Sequence, residues 1–166
     1  MIEFYARKQR RVCRSTYAAE LNALADGIET GKLITMALTE IMTPVLTARQ
    51  LDEKERTGQL IVPIEAMLDA RSVYESLAAN ETRTPAESTL ISILFQIKES
   101  LLSHTVRRLW WIDTRDMVSD GLNKGVIGRQ ALLKLGTTGT WITVHETMMH
   151  YEKTHVKIPG NLDLIE

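Results

Sequence analysis

Cysteine is almost missing from this chain, and the single Cys13 rules out an internal disulfide. It stands in "VCRS", where a small buried residue suits, so it reads as structural. Aromatics are thin at 5%. No apolar run reaches the roughly 18 residues that a bilayer span needs, and no signal-peptide pattern opens the chain. The expectation is a soluble intracellular protein without a membrane partner, in cytoplasm or nucleus. "RKQRR" is too short and common a string to decide between them. Phosphate-binding glycine loops, nucleophile elbows and Cys-His pairings are also missing, which removes the commonest nucleotide-binding and covalent-catalysis signatures.

What remains is ordinary globular material. The 166 residues allow one domain, with 44% hydrophobic and 25% charged residues, enough to bury a core and to argue against disorder. The net charge of −1 hides one asymmetry: Arg7, Lys8, Arg10, Arg11 and Arg14 crowd together beside a lone nearby acid, Glu3. Clustered cations release counterions from a nucleic-acid backbone, so these five residues are candidates for phosphate contact. The same run also suits an exposed edge strand guarded by charge.

Alternation of Ile2, Phe4 and Ala6 with Glu3, Tyr5 and Arg7 predicts a half-buried strand over Ile2–Val12. Ser15 or Thr16 offers an N-cap for a helix carrying Tyr17, Leu21, Leu24 and Ile28, which can continue through "KLITMALTEIM". "TARQLDEKERTGQ" reads as a connection or a short solvated helix. "LIVPIEAMLD" sets Val62, Ile64, Ala66 and Leu68 on one side of a strand, with Pro63 near its start. A helix over Ala70–Ala79 follows. "TPAE" predicts the next helix start, with Thr84 as N-cap, Pro85 at N1 and Glu87 closing a capping box. Its stripe is Leu90, Ile91, Leu94, Ile97 and Leu101. "TVRRLWWID" is a strand that sends Trp110 and Trp111 to opposite faces, and "TRDMVSDGLNKG" starts a helix ending at Gly125. Strands alternating with helices imply an α/β fold with a parallel strand pair and flanking helices.

Three carboxylates stand out by position. Glu20 falls between Tyr17 and Leu24 on the apolar face of its helix, where a carboxylate needs a cation or hydrogen-bond donors. Asp69 ends a strand, on the side of an α/β sheet where sites are built. Asp120 lies in the first turns of a helix, with Asp116 four residues earlier on the same face. Each also has an ordinary role: a boundary residue reaching water, a helix cap, acids placed by the helix dipole. Converging carboxylates repel unless protonated or bridged by cations, and an all-oxygen set selects Mg²⁺ or Mn²⁺. "HETMMH" is similar to a zinc-protease helix, but its histidines are five apart instead of four, so on a helix their rings diverge by about 140°.

"RKQRRVCRSTYAAEL", "LDARSVYESL" and "WIDTRDMVSDGLNKG", in this order and at these separations, resemble the ribonuclease H segment of copia-type LTR retrotransposon Pol polyproteins. The resemblance covers residues 1–135 as a ribonuclease H-like domain and leaves 136–166 as a C-terminal extension without an assigned role. It implies cleavage of RNA in RNA–DNA hybrids by two-metal hydrolysis, with Glu20, Asp69 and Asp120 as catalytic, metal-holding carboxylates. Ser119 and Asn123 depart from the family's Ala and Thr in the last motif.

The family begins with two further strands, the first bearing another catalytic Asp, and this chain opens on what would be the third. Two ions about 4 Å apart need carboxylates to hold both, and the first Asp normally touches both. The expectation is therefore a ribonuclease H-like fold lacking its first two strands, with weak or absent Mg²⁺ or Mn²⁺ binding and no nuclease activity alone. An unpaired sheet edge would favour self-association. The alternative is a non-catalytic nucleic-acid-binding or interaction module.

Overall fold

The computed structural model describes residues 13–79, 85, 87–120, 130–151 and 154–158. The predicted strand over Ile2–Val12, with Arg7, Lys8, Arg10 and Arg11, lies outside them.

Helix α1 spans Thr16–Met42, entered through Ser15, whose hydroxyl accepts the Ala18 N–H. Its buried side is Ala18, Leu21, Ile28, Thr35 and Thr39. Three of these are apolar and two are threonines whose hydroxyls turn back onto the helix's own carbonyls, so the polar half of the stripe is buried without orphaned donors. Thr39 Oγ1 also accepts the Ile61 N–H at 3.2 Å, fixing the approach to the first strand. The polar segment after α1 forms a short helix, α2 (Ala48–Arg56), started by a reciprocal capping box between Thr47 and Gln50.

Strand β1 (Ile64–Leu68) buries alternate residues, as its sequence predicts. Helices α3 (Arg71–Ala78) and α4 (Thr89–Leu102) carry the chain back to β2 (Val106–Ile112), which pairs with β1 in parallel. One residue is extra on β2: Ile64 pairs with Val106, but Glu65 pairs with Arg108. This bulge lets Val106 and Leu109 both enter the main core while Arg107 stays outside.

Two expected helix starts differ. The capping box at Thr84–Glu87 is not where α4 begins; the helix starts at Thr89 with Ser88 before it and no side-chain cap, one residue ahead of the first deeply buried position, Leu90. Packing of the apolar stripe sets this boundary, because most helical stability in proteins comes from such packing. Thr84 itself lies outside the described residues. After β2, the chain forms only a 3₁₀ turn at Thr114–Asp116, and helical backbone resumes at Asp120; the continuation to Gly125 lies outside the described residues. Asp113 tightens this turn by accepting the Arg115 N–H at 3.0 Å.

Two strands after residue 136 join the sheet. After α5 (Gln130–Thr138), β3 (Thr147–Tyr151) pairs antiparallel with β2 and then with β4 (Thr154–Ile158), so the described sheet runs β1-β2-β3-β4. Because β3 is a strand, "HETMMH" forms no zinc-protease helix. Among the described residues β1 has β2 as its only strand partner.

The two sheet faces carry separate apolar clusters. Ile64, Ala66, Leu68 and Leu109 join the buried faces of α1, α3 and α4. On the other face Trp110 and Ile112 pack with Met67, Met117, Trp141 and Met149. Trp110 and Trp111 thus diverge as expected, with Trp111 against the helical side.

Tyr74, 1% exposed in the main core, has its phenol pushed up to about 12 by burial. An unfolded tyrosine loses its proton near pH 10, so the folded state holds the proton longer and loses stability as pH rises from about 10 towards 12. Tyr74→Phe is expected to move the alkaline unfolding midpoint upward in circular dichroism. An unchanged midpoint would mean that Tyr74 contributes nothing to alkaline unfolding.

Candidate functional site

The C-terminal ends of the parallel strands gather the polar groups. Asp69 follows β1 directly, and its position is fixed twice: its carbonyl oxygen accepts Trp111 Nε1–H at 2.9 Å, and its Oδ2 accepts the Thr114 hydroxyl at 3.2 Å. Arg71 lies over the Trp111 ring at 5.6 Å and pairs with Glu75 one turn further along α3. Across the rim, Asp113 grips Arg115 in a two-point ion pair, 2.8 Å to Nε and 2.8 Å to Nη2. The Arg115 guanidinium, with its backbone N–H, holds the Asp113 carboxyl well below the usual range, and His145 adds in the same direction. Both arginines are thus already committed to carboxylates.

Asp116 is the buried acid of this region, its side chain 7% exposed. Oδ2 accepts the backbone N–H of Val144 at 3.0 Å and of His145 at 2.7 Å. Oδ1 faces Nδ1 of the His145 ring at 3.0 Å, and an ionised carboxylate there makes Nδ1 the protonated nitrogen. The Asp116 carbonyl oxygen accepts Trp141 Nε1–H at 3.2 Å. One residue therefore holds the chain at 141, 144 and 145. These contacts span 25 to 29 residues, and no local pattern in the sequence announces them. Asp113 and His145 are the residues of this region that sequence reasoning missed.

Glu20 is partly buried on α1, one residue before the fully buried Leu21. A step of one residue turns the helix about 100°, which puts Glu20 at the margin of the buried stripe. Asp120 is partly buried, its N–H donating to the Met117 carbonyl at 3.2 Å. Arg14 is exposed at the start of the described chain. Among the described residues no three His, Cys, Asp or Glu side chains are gathered so as to hold a metal ion. Glu20, Asp69 and Asp120 are all described and form no part of such a group. No chemical step is routed through such an ion here.

No family model matches this chain, and neither a curated protein nor a solved structure does. No helix of the described residues is long and apolar enough to cross a membrane.

Proposed function

We propose that this chain is a ribonuclease H-like domain of a copia-type LTR retrotransposon Pol polyprotein and that it is not a competent nuclease by itself. The observation that carries the reading is Asp69, a carboxylate just past the C-terminal end of β1, beside a parallel β2 and bonded to the residue two positions beyond that strand. The element order supports it: a long helix bearing Glu20, the short α2, a strand followed directly by an acid, two crossover helices, a parallel strand, then a turn leading to Asp120. The coverage of the sheet, with α1, α3 and α4 on one face and residues after β2 on the other, agrees with that order.

Inactivity follows from the chemistry. Two-metal phosphodiester hydrolysis needs one ion to activate water and another to stabilise the leaving oxygen, and among the described residues no three His, Cys, Asp or Glu side chains are gathered to hold such a pair. The clustered cations Arg7, Lys8, Arg10, Arg11 and Arg14 support a second reading, a module that binds a nucleic-acid backbone without cutting it.

Three measurements on the purified chain test this. With Mg²⁺ or Mn²⁺, an RNA–DNA hybrid is expected to remain intact; cleavage that Asp69→Asn abolishes would overturn the inactivity. Calorimetric titration of either ion is expected to give no resolvable heat in wild type or Asp69→Asn, and binding lost in the variant would restore a working acidic site. If all five basic residues contact phosphates, hybrid affinity is expected to fall by roughly several hundredfold between 50 and 200 mM salt. A folded chain that ignores the hybrid at low salt would exclude both nucleic-acid readings.

A further inference from the structure

The segment from Trp141 to Tyr151 is attached differently from the rest of the fold. Its backbone bonds to the outer edge of β2, where Thr147 to His150 pair with Ile112 to Leu109. Trp141 and Met149 pack on the small cluster around Trp110 and Ile112, on the sheet face opposite the three helices. Met148 packs from the other side against the main cluster, and β4 pairs along the far edge of β3. Asp116 adds a polar tie, accepting two backbone N–H groups, facing the His145 ring and taking Trp141 Nε1–H on its carbonyl. Against these attachments stand two fully buried hydroxyls within the segment itself, Thr143 Oγ1 and Thr147 Oγ1, which have no hydrogen-bond partner among the described residues. A buried hydroxyl without a partner gives up its bonds to water and gains none in return. Docking of this segment thus sets strand pairing, apolar contacts and one multiply bonded carboxylate against two unpartnered hydroxyls.

The near end of the segment also lies at the polar rim. His145 is close enough to act on the Asp113 carboxylate, and Glu146 adds to the field of Glu75 on the Arg71 guanidinium. We propose that Trp141–Tyr151 is a strap, latched by Asp116, that opens as a unit while α1, α3, α4 and the β1/β2 pair stay folded. Opening uncovers the outer edge of β2, the Trp110–Ile112 face and the strand-end rim with Asp69 and Asp113. Closure covers them. The proposal does not depend on nuclease ancestry.

Native-state amide hydrogen exchange on the full chain tests it, because cooperative sub-global openings appear there as groups of amides with a common, lower protection. Amides of Val144, His145 and β3 are expected to exchange together, at least tenfold faster than those of α4. Asp116→Asn weakens the latch and is expected to speed that group a further tenfold or more without changing α1 or α4. Thr147→Val removes an unpartnered hydroxyl and is expected to slow it. Equal protection of strap and α4 in the wild type would overturn the proposal, as would Asp116→Asn accelerating α1 and α4 to the same extent. Should Asp116→Asn fail to fold, the wild-type comparison and Thr147→Val still decide.

Discussion

Gly58→Ala is expected to destabilise the fold by about 2–4 kcal/mol, through backbone strain and a collision that cannot relax cheaply. Gly58 follows α2 at φ +64, in the left-handed region that L side chains rarely adopt. A Cβ there would lie 2.6 Å from the His104 carbonyl oxygen and 2.9 Å from His104 Cβ. The opposing wall includes backbone, and His104 is itself at φ 60, the one described non-glycine residue with positive φ. Two turns, after α2 and after α4, are pressed together here, and the Thr105 hydroxyl donates to the Glu55 carbonyl at 3.0 Å beside them. Gly27→Ala is the control. Nothing lies within 4 Å of its added Cβ, inside a helix, so a gain of about 0.5–1 kcal/mol is expected. Urea denaturation of the two variants should give shifts of opposite sign. A Gly58→Ala chain as stable as the wild type would mean that the two turns do not meet so closely.

The contrast between these glycines explains what was legible in the sequence. Helix caps and strand alternation involve residues a few positions apart: Ser15 caps α1, and Ile64, Ala66 and Leu68 alternate inward. Both are legible from residues close together in the chain. Gly58 meets His104 and Asp116 meets His145 only because the chain folds back, and neither partner marks the other's position. Local signals also lost to packing where they competed with it. The capping box at Thr84–Glu87 is well formed as sequence, yet α4 begins at Thr89, beside Leu90 in the core. In "DTRD", the Asp113 side chain takes the Arg115 N–H and tightens the backbone into a 3₁₀ turn, so the expected helix is delayed. The three aspartates between Asp113 and Asp120 consequently do different work: Asp113 pairs with Arg115, Asp116 bonds the C-terminal segment, and Asp120 stands at the next helical residue. The spacing of Asp116 and Asp120 places them together on one face of a helix, and spacing alone does not separate their roles.

Leu94→Ala is expected to cost about 3–5 kcal/mol, the upper range for truncating a buried leucine where the surroundings cannot collapse. Leu94 is fully buried at the middle of α4, with Leu90 one turn before it and Ile97 almost one turn after, all in the main cluster. That cluster also takes Leu21 and Ile28 from α1, Val73 and Leu77 from α3, and Ile64 and Leu109 from the two parallel strands. A cavity at Leu94 therefore loosens the crossover that holds β2 alongside β1, and with it the strand end at which Asp69 meets Thr114. The adjacent residue separates this from a general effect on the helix. Phe95 is larger and equally apolar but 54% exposed, so Phe95→Ser is expected to change stability by no more than about 0.5 kcal/mol. Thermal unfolding of both variants decides the matter. A Phe95→Ser loss as large as that of Leu94→Ala would mean that α4 is covered on its outer side, which would make that face, and not the strand ends, the first place to look for a partner.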